Sequence, residues 1–196
     1  MTLAIAIALV GAYLIGSIDF ASFVARLHGV DIREVGSGNP GTSNVLRTLG
    51  KGPAAMVLVG DALKGVAGAA LGMMASGSTS HWMYATGLAA VLGHCYPVFH
   101  KFKGGKGVAT GLGVLLFTLP IVGVIVLFAW AILTKVTKLP ALASLVVVFG
   151  TIPLAWLGGA RGLDLLWLGL AIVLIVWRHR SNIHRLVKGK EEIVET

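Results

Sequence analysis

The stretch GVATGLGVLLFTLPIVGVIVLFAWAILT, residues 107–134, decides the fold. It carries no ionisable side chain and exceeds the roughly 20 residues that cross the hydrocarbon core of a bilayer. Pro120 sits near its middle, where the missing N–H and the ring interrupt a helix. Read as one tilted helix, the stretch crosses a membrane once. Read as two short helices meeting at Pro120, it crosses twice.

The charges on either side choose between these readings. Further apolar runs lie at residues 2–25, 53–75, 81–99, 139–157 and 163–177. Basic residues in short loops favour the cytoplasm, whereas carboxylates count for little. The segment with Arg26, Arg33, Arg47 and Lys51 lies two spans from the one with Lys101, Lys103 and Lys106, so both share a side. The tail with Arg178, Arg180, Arg185, Lys188 and Lys190 joins them only if an even number of crossings separates Lys106 from Arg178. Two short helices around Pro120 supply that parity and bring Lys135 and Lys138 inside as well. The expected fold class is therefore an all-α integral membrane protein with seven transmembrane helices, N-terminus outside and C-terminus cytoplasmic.

Composition agrees. The chain has 196 residues, 56% of them hydrophobic and 12% charged, with a mean hydropathy of +0.88. A soluble domain is near 25% charged, so this class is excluded. No polar stretch is long enough to separate a second domain, so residues 1–196 form one membrane-embedded unit. The net charge of +8 is confined to connecting segments, which points to a lipid bilayer rather than a nucleic acid as partner. The first apolar run lacks a basic leader and reads as a retained helix. The single cysteine, Cys95, rules out an internal disulfide and reads as a small buried hydrophobe.

Three polar segments on the inner side carry the candidate chemistry. Residues 36–47 read GSGNPGTSNVLR, with Ser37, Gly38, Asn39, Gly41, Thr42, Ser43, Asn44 and Arg47. Glycines allow close backbone approach, hydroxyls and amides donate, and a helix starting near Thr42 aims free N–H groups at an anion. Arg47 is spaced to clamp phosphate oxygens. Residues 101–110 read KFKGGKGVAT, in which Gly104 and Gly105 set Lys106 at a helix start, a good place for an anion or a developing oxyanion. The nucleotide P-loop spacing is absent. In residues 177–185, His179 and Asn182 share a helical face, where His179 orients or shuttles protons and Asn182 donates to a reacting group. Each segment also reads as a headgroup anchor taken alone.

Within the spans, Asp61 and Lys64 are placed to neutralise each other, and Asp19 has Arg26 two turns on as a partner. His94 and Tyr96 border the site or sit at the headgroup belt. Glu34 stands alone and the remaining glutamates lie in the tail, so no acidic cluster is expected and no metal or cofactor is called for.

At these segments the sequence resembles the bacterial acyl-phosphate-dependent glycerol-3-phosphate acyltransferases of the PlsY type. The matching residues are Gly36 to Gly41 with Asn44 and Arg47; Gly93 and His94 with Pro97, Val98 and Phe99; Lys103 to Thr110; and His179 to Ile183 with Arg185. The element Asp61-Ala62-Leu63-Lys64-Gly65 is also similar. Thr42-Ser43 stands where Ala-Thr is usual, and Cys95-Tyr96 where a phenylalanine often precedes the proline. The resemblance implies seven transmembrane helices in the bacterial inner membrane and a cytoplasmic site. It also implies transfer of an acyl group from acyl phosphate to the 1-hydroxyl of glycerol 3-phosphate, giving lysophosphatidic acid and phosphate.

Acyl phosphate already has a good leaving group, so neither a metal nor a covalent acyl-enzyme is required. The expected catalytic residues are Lys106, His179 and Asn182. The residues named in the first segment, with His94, Gly104, Gly105 and Arg185, are expected to bind substrate, and the protein is expected to act as a monomer. A phosphate-ester transporter would use similar loops. It would also need an outer entry site, and the outer loops hold little charge beyond Arg161 and Asp164.

Overall fold

The computed structural model describes residues 2–78 and 80–194, and among these it contains ten α-helices, one 3-10 turn and no strand. The first apolar run forms two helices, α1 (Leu3–Gly16) and α2 (Phe20–Leu27). The break arises because the Asp19 carboxylate caps α2, accepting from the Ser22 amide at 2.9 Å and the Ser22 hydroxyl at 2.6 Å. Asp19 pairs with Arg33 at 2.6 Å, not with Arg26 as its spacing suggested. Asp19 is turned toward the following loop, and Arg26 faces out of the protein.

A short helix α3 (Thr42–Leu49) begins at Thr42 as read from the sequence. It leads into α4 (Lys51–Ser76), which is followed by α5 (His81–Cys95) and the 3-10 turn Val98–His100. The decisive stretch does break at its proline. Helix α6 (Val108–Thr118) ends at Leu119, which leaves the helical region at φ −140° and ψ 73°, and Pro120 opens α7 (Pro120–Thr137). Proline forces its predecessor out of the helical region and is itself suited to the first helical position. The two helices are unequal, 11 and 18 residues, because α7 continues past residue 134 to Thr137. Helices α8 (Pro140–Leu157), α9 (Leu163–Arg178) and α10 (Arg180–Val187) complete the chain.

Among the described residues, four helical segments are long and apolar enough to cross a membrane: Leu3–Leu27, Lys51–Ser76, Pro120–Thr137 and Pro140–Leu157. Helices α5, α6 and α9 are apolar but shorter, at 15, 11 and 16 residues. Large apolar side chains point outward along α1 (Leu3, Ile7, Val10), α7 (Ile121, Ile125, Phe128, Ile132) and α9 (Leu166, Leu170, Val173). An outward apolar face is what hydrocarbon solvent selects.

The inside is built from small residues. A Cβ on Gly65 would overlap the Thr110 carbonyl, and one on Gly113 the Ala62 carbonyl, so α4 and α6 approach backbone to backbone. Gly16 and Gly93 do the same for α1 and α5. Helix α6 is short because it lies inside this bundle, with Thr110 and Leu112 to Leu115 buried.

The basic segments gather at one end of the bundle. Arg33 donates to the Lys103 carbonyl at 2.7 Å, Arg178 to the Gly104 carbonyl at 2.6 Å, Arg47 to the Ile193 carbonyl at 3.1 Å, and the Val194 amide to the Lys138 carbonyl at 2.9 Å. Ser80, His81, Leu119 and the Gly158 to Asp164 turn surround a depression at the other end.

Candidate active site

At the basic end, one cavity runs from a polar mouth into an apolar arm between α6, α7 and α8. The arm is lined by Leu58, Leu112, Val126, Leu127, Trp130 and Val147. Its two polar side chains are satisfied: the Trp130 indole donates to the Ser144 hydroxyl at 3.0 Å, and that hydroxyl donates to the Pro140 carbonyl at 2.8 Å. The arm is therefore dry in character and suits an alkyl chain.

The mouth draws together residues far apart in the sequence. Ser37, Asn39, Gly41, Thr42, Ser43, Asn44 and Arg47 line it from the first loop and α3. His94 reaches it from α5, Lys106 from the start of α6, and His179, Asn182 and Arg185 from the junction of α9 with α10. Gly38, Gly104 and Gly105 are not on its wall. Gly38, at φ 67°, backs onto the Arg33 carbonyl. Gly104 and Gly105 lie behind the mouth, against His94 and Pro40.

The side chains at the mouth differ in how far they are committed. Asn44 is buried, and its amide is fully used: it accepts from the Ser37 amide at 2.9 Å and donates to the Ile32 and Val35 carbonyls at 3.1 and 3.0 Å. It folds the glycine-rich loop around the helix start. Arg47 is held by the C-terminal tail, donating to the Ile193 and Glu192 carbonyls and pairing with the Glu192 carboxylate at 3.0 Å. Arg185 pairs with the Glu191 carboxylate, also at 3.0 Å.

The glutamates that looked idle in the sequence thus form one wall of the site. Asn182 donates its Nδ2 to Glu191 at 2.7 Å, which fixes the amide so that Oδ1, buried and without a hydrogen-bond partner among the described residues, is left as an acceptor. The sequence reading had Asn182 as a donor; Glu191 engages one of its two N–H groups, and the unpartnered acceptor Oδ1 adds a second way for it to hold a reacting group. The Thr42 hydroxyl is buried and unpartnered in the same way.

His179 is buried, and its Nδ1 lies 2.8 Å from the Ile175 carbonyl. A carbonyl only accepts, so the proton is on Nδ1 and Nε2 is an acceptor. Burial pushes the imidazole down to about 4, outweighing the opposing effect of the Ile175 carbonyl, so it is neutral at physiological pH. The Lys106 ammonium makes no hydrogen bond or ion pair to any described residue. Burial lowers it to about 8, the Glu191 carboxylate works in the opposite direction, and Arg185, Arg178 and Arg47 add to the lowering.

Sequence reasoning missed Glu191, Glu192 and Arg178. Arg178 stacks on Tyr96 at 5.1 Å and donates to the Gly105 and Gly104 carbonyls at 2.9 and 2.6 Å. Only the left-handed Gly189, at φ 64°, hinted that the tail turns back.

Comparison with known proteins agrees with this architecture. The family model described as glycerol-3-phosphate acyltransferase matches residues 6–189. A glycerol-3-phosphate acyltransferase of Thioalkalivibrio sulfidiphilus is 46% identical over 193 residues, covering 97% of this chain and 94% of the relative. One from Rubrobacter xylanophilus is 42% identical over 180 residues, covering 91% and 89%. The crystal structure of PlsY (YgiH), an integral membrane glycerol 3-phosphate acyltransferase, in its glycerol 3-phosphate form superposes with a TM-score of 0.91 at 40% identity, covering 98% of this chain and 96% of that one. Its lysophosphatidic acid form gives 0.89 at 39% identity.

Proposed function

The chain belongs to the glycerol-3-phosphate acyltransferase family, and on that premise we propose that it moves an acyl group from a long-chain acyl phosphate to the 1-hydroxyl of glycerol 3-phosphate. The products are lysophosphatidic acid and inorganic phosphate. The observation that carries this reading is a single cavity with a dry arm at one end and an uncommitted ammonium, Lys106, at the other. An acyl phosphate has the same two ends.

In the reaction the hydroxyl oxygen attacks the acyl carbonyl carbon, the bond from that carbon to the bridging oxygen breaks, and phosphate leaves with the electron pair. The hydroxyl proton ends on phosphate. Lys106 neutralises charge that develops on the carbonyl or the leaving phosphate. Nε2 of His179 and Oδ1 of Asn182, both acceptors, hold the hydroxyl by its proton and aim its lone pair. Weakly basic as it is, His179 serves as an orienting group, and a substrate phosphate is the stronger proton acceptor. Ser37, Thr42, Ser43 and the free N–H groups opening α3 cradle a phosphate. Among the described residues no three His, Cys, Asp or Glu side chains converge as a metal site would need, and the proposed chemistry uses none.

The proposal extends to placement. The chain crosses a bacterial inner membrane seven times, works as a monomer and opens its cavity to the cytoplasm, the side favoured by its basic segments.

The test is phosphate release by purified protein in lipid, given glycerol 3-phosphate and palmitoyl phosphate, against palmitoyl-CoA and palmitoyl-carrier protein as rival donors. Turnover with the acyl phosphate alone is expected. Turnover only with a thioester would overturn the donor assignment.

A further inference from the structure

Beside the cavity, with Asp61 and His94 on its wall, lies a charged cluster to which the reaction above gives no chemical step. Asp61 and Lys64, on α4, are each 2% exposed, and His94, on α5, is 8% exposed. The Lys64 ammonium donates to the Ile18 carbonyl at 2.7 Å, pairs with the Asp61 carboxylate at 2.7 Å and lies 3.0 Å from Nδ1 of His94. Ile18 lies in the break between α1 and α2, where a carbonyl has been freed from helical bonding. The same Nδ1 lies 3.5 Å from the Asp61 carboxylate, so the imidazole is held against both charged groups. The cluster thus fixes the place of one imidazole.

That imidazole abuts the loop presenting Lys106. The Gly105 amide donates to the His94 carbonyl at 3.1 Å. A Cβ on Gly105 would overlap His94 Nε2, and one on Gly104 would overlap the His94 carbonyl. From the opposite side Arg178 grips the carbonyls of the same two glycines. Lys106 follows immediately. There is no room for a side chain at either position: a Cβ on Gly104 would meet the His94 and Cys95 carbonyls and Pro97, and one on Gly105 the His94 imidazole and the Pro40 carbonyl.

We infer that Asp61, Lys64 and His94 are positioning residues for the acyl transfer: they seat the two glycines so that the Lys106 ammonium projects into the cavity. This rests on the role given to Lys106 above. If the cluster served only to neutralise a buried charge, removing both charges together would be harmless, since buried ion pairs are often replaceable by uncharged side chains of similar volume.

The experiment compares the D61N/K64M double variant with the unaltered protein in three measurements. Thermal unfolding in detergent reports the fold. Steady-state kinetics separate kcat from KM. The rate at which Lys106 is modified by an amine-reactive reagent, followed by peptide mass spectrometry, reports its placement whether or not the reaction assignment is right. The expected result is a folded protein with kcat reduced at least 10-fold, KM for glycerol 3-phosphate changed less than threefold, and Lys106 labelled at an altered rate. G105A, which pushes the loop off His94 while leaving Asp61 and Lys64 intact, is expected to give the same pattern and serves if the double variant does not fold. Rescue separates the two sides of the ring: H94N, which keeps an acceptor for Lys64, should retain more kcat than H94L. Labelling and kcat both unchanged in folded D61N/K64M would overturn the inference. Altered labelling with unchanged kcat would sustain the positioning and overturn the catalytic role of Lys106 instead.

Discussion

Burial works against the charge of Lys106, the carboxylate of Glu191 favours it, and Arg185, Arg178 and Arg47 add to the lowering. An ammonium with its affinity lowered to about 8 is protonated below that pH and loses its proton as pH rises through it. If its charge is what the reaction needs, kcat/KM falls on the alkaline side with a midpoint near pH 8. A bound substrate phosphate favours the charged form, so the limb in kcat lies higher; a pH–rate profile of both constants checks this. His179, neutral above about 4, should add no acid limb near neutrality. Asn182→Ala removes the fixed acceptor and should lower kcat on the order of 10²-fold with little change in KM. Glu191→Ala leaves the Asn182 amide donor unpaired, and should lower stability by about 1–3 kcal/mol and reduce kcat as Asn182 turns. Thermal unfolding beside kinetics separates the two effects. Residue types at the site were legible in the sequence because glycine, hydroxyl and basic residues cluster in three short loops. Their bonding was not. Which way the Asn182 amide faces depends on Glu191, nine positions away and across a turn, and no periodicity links the two.

At the scale of elements, proline and glycine set most of the boundaries. The break at Leu119 was legible because Pro120 restricts its neighbour, and the start of α3 because Thr42 follows a glycine-rich turn. The division of α1 from α2 was not. It depends on Asp19 choosing to cap α2 and to bind Arg33, a contact closed by the fold rather than by local spacing. Close helix crossings explain why small residues recur where α4 meets α6. Gly113→Leu inserts a side chain where a Cβ alone would meet the Ala62 backbone. It is expected to destabilise the protein by roughly 1–3 kcal/mol or more, seen as a lower unfolding midpoint in detergent. Because α6 carries Lys106 at its start, activity should fall at temperatures where the fold survives.

For the whole molecule, charge alone grouped the basic loops on one side, because they recur after every second span. The fold brings those loops together and puts the α6–α7 turn at the opposite end. Single cysteines introduced at Lys51 and Lys188 should react with an impermeant reagent from one face of sealed vesicles, and one at Arg161 from the other; labelling of all three from one face would contradict the seven-crossing topology. The tail was the part the sequence hid. It returns to the mouth, burying Val194 and tying Arg47, so that the site is completed only when residues 191–194 have docked. The most direct test of the central claim is a single-turnover assay in EDTA with purified protein, palmitoyl phosphate and glycerol 3-phosphate, run beside Lys106→Met. Lysophosphatidic acid and phosphate should appear one for one, and the variant should be at least 10²-fold slower while still folded. A variant as fast as the unaltered protein, or activity abolished by EDTA, would contradict the account.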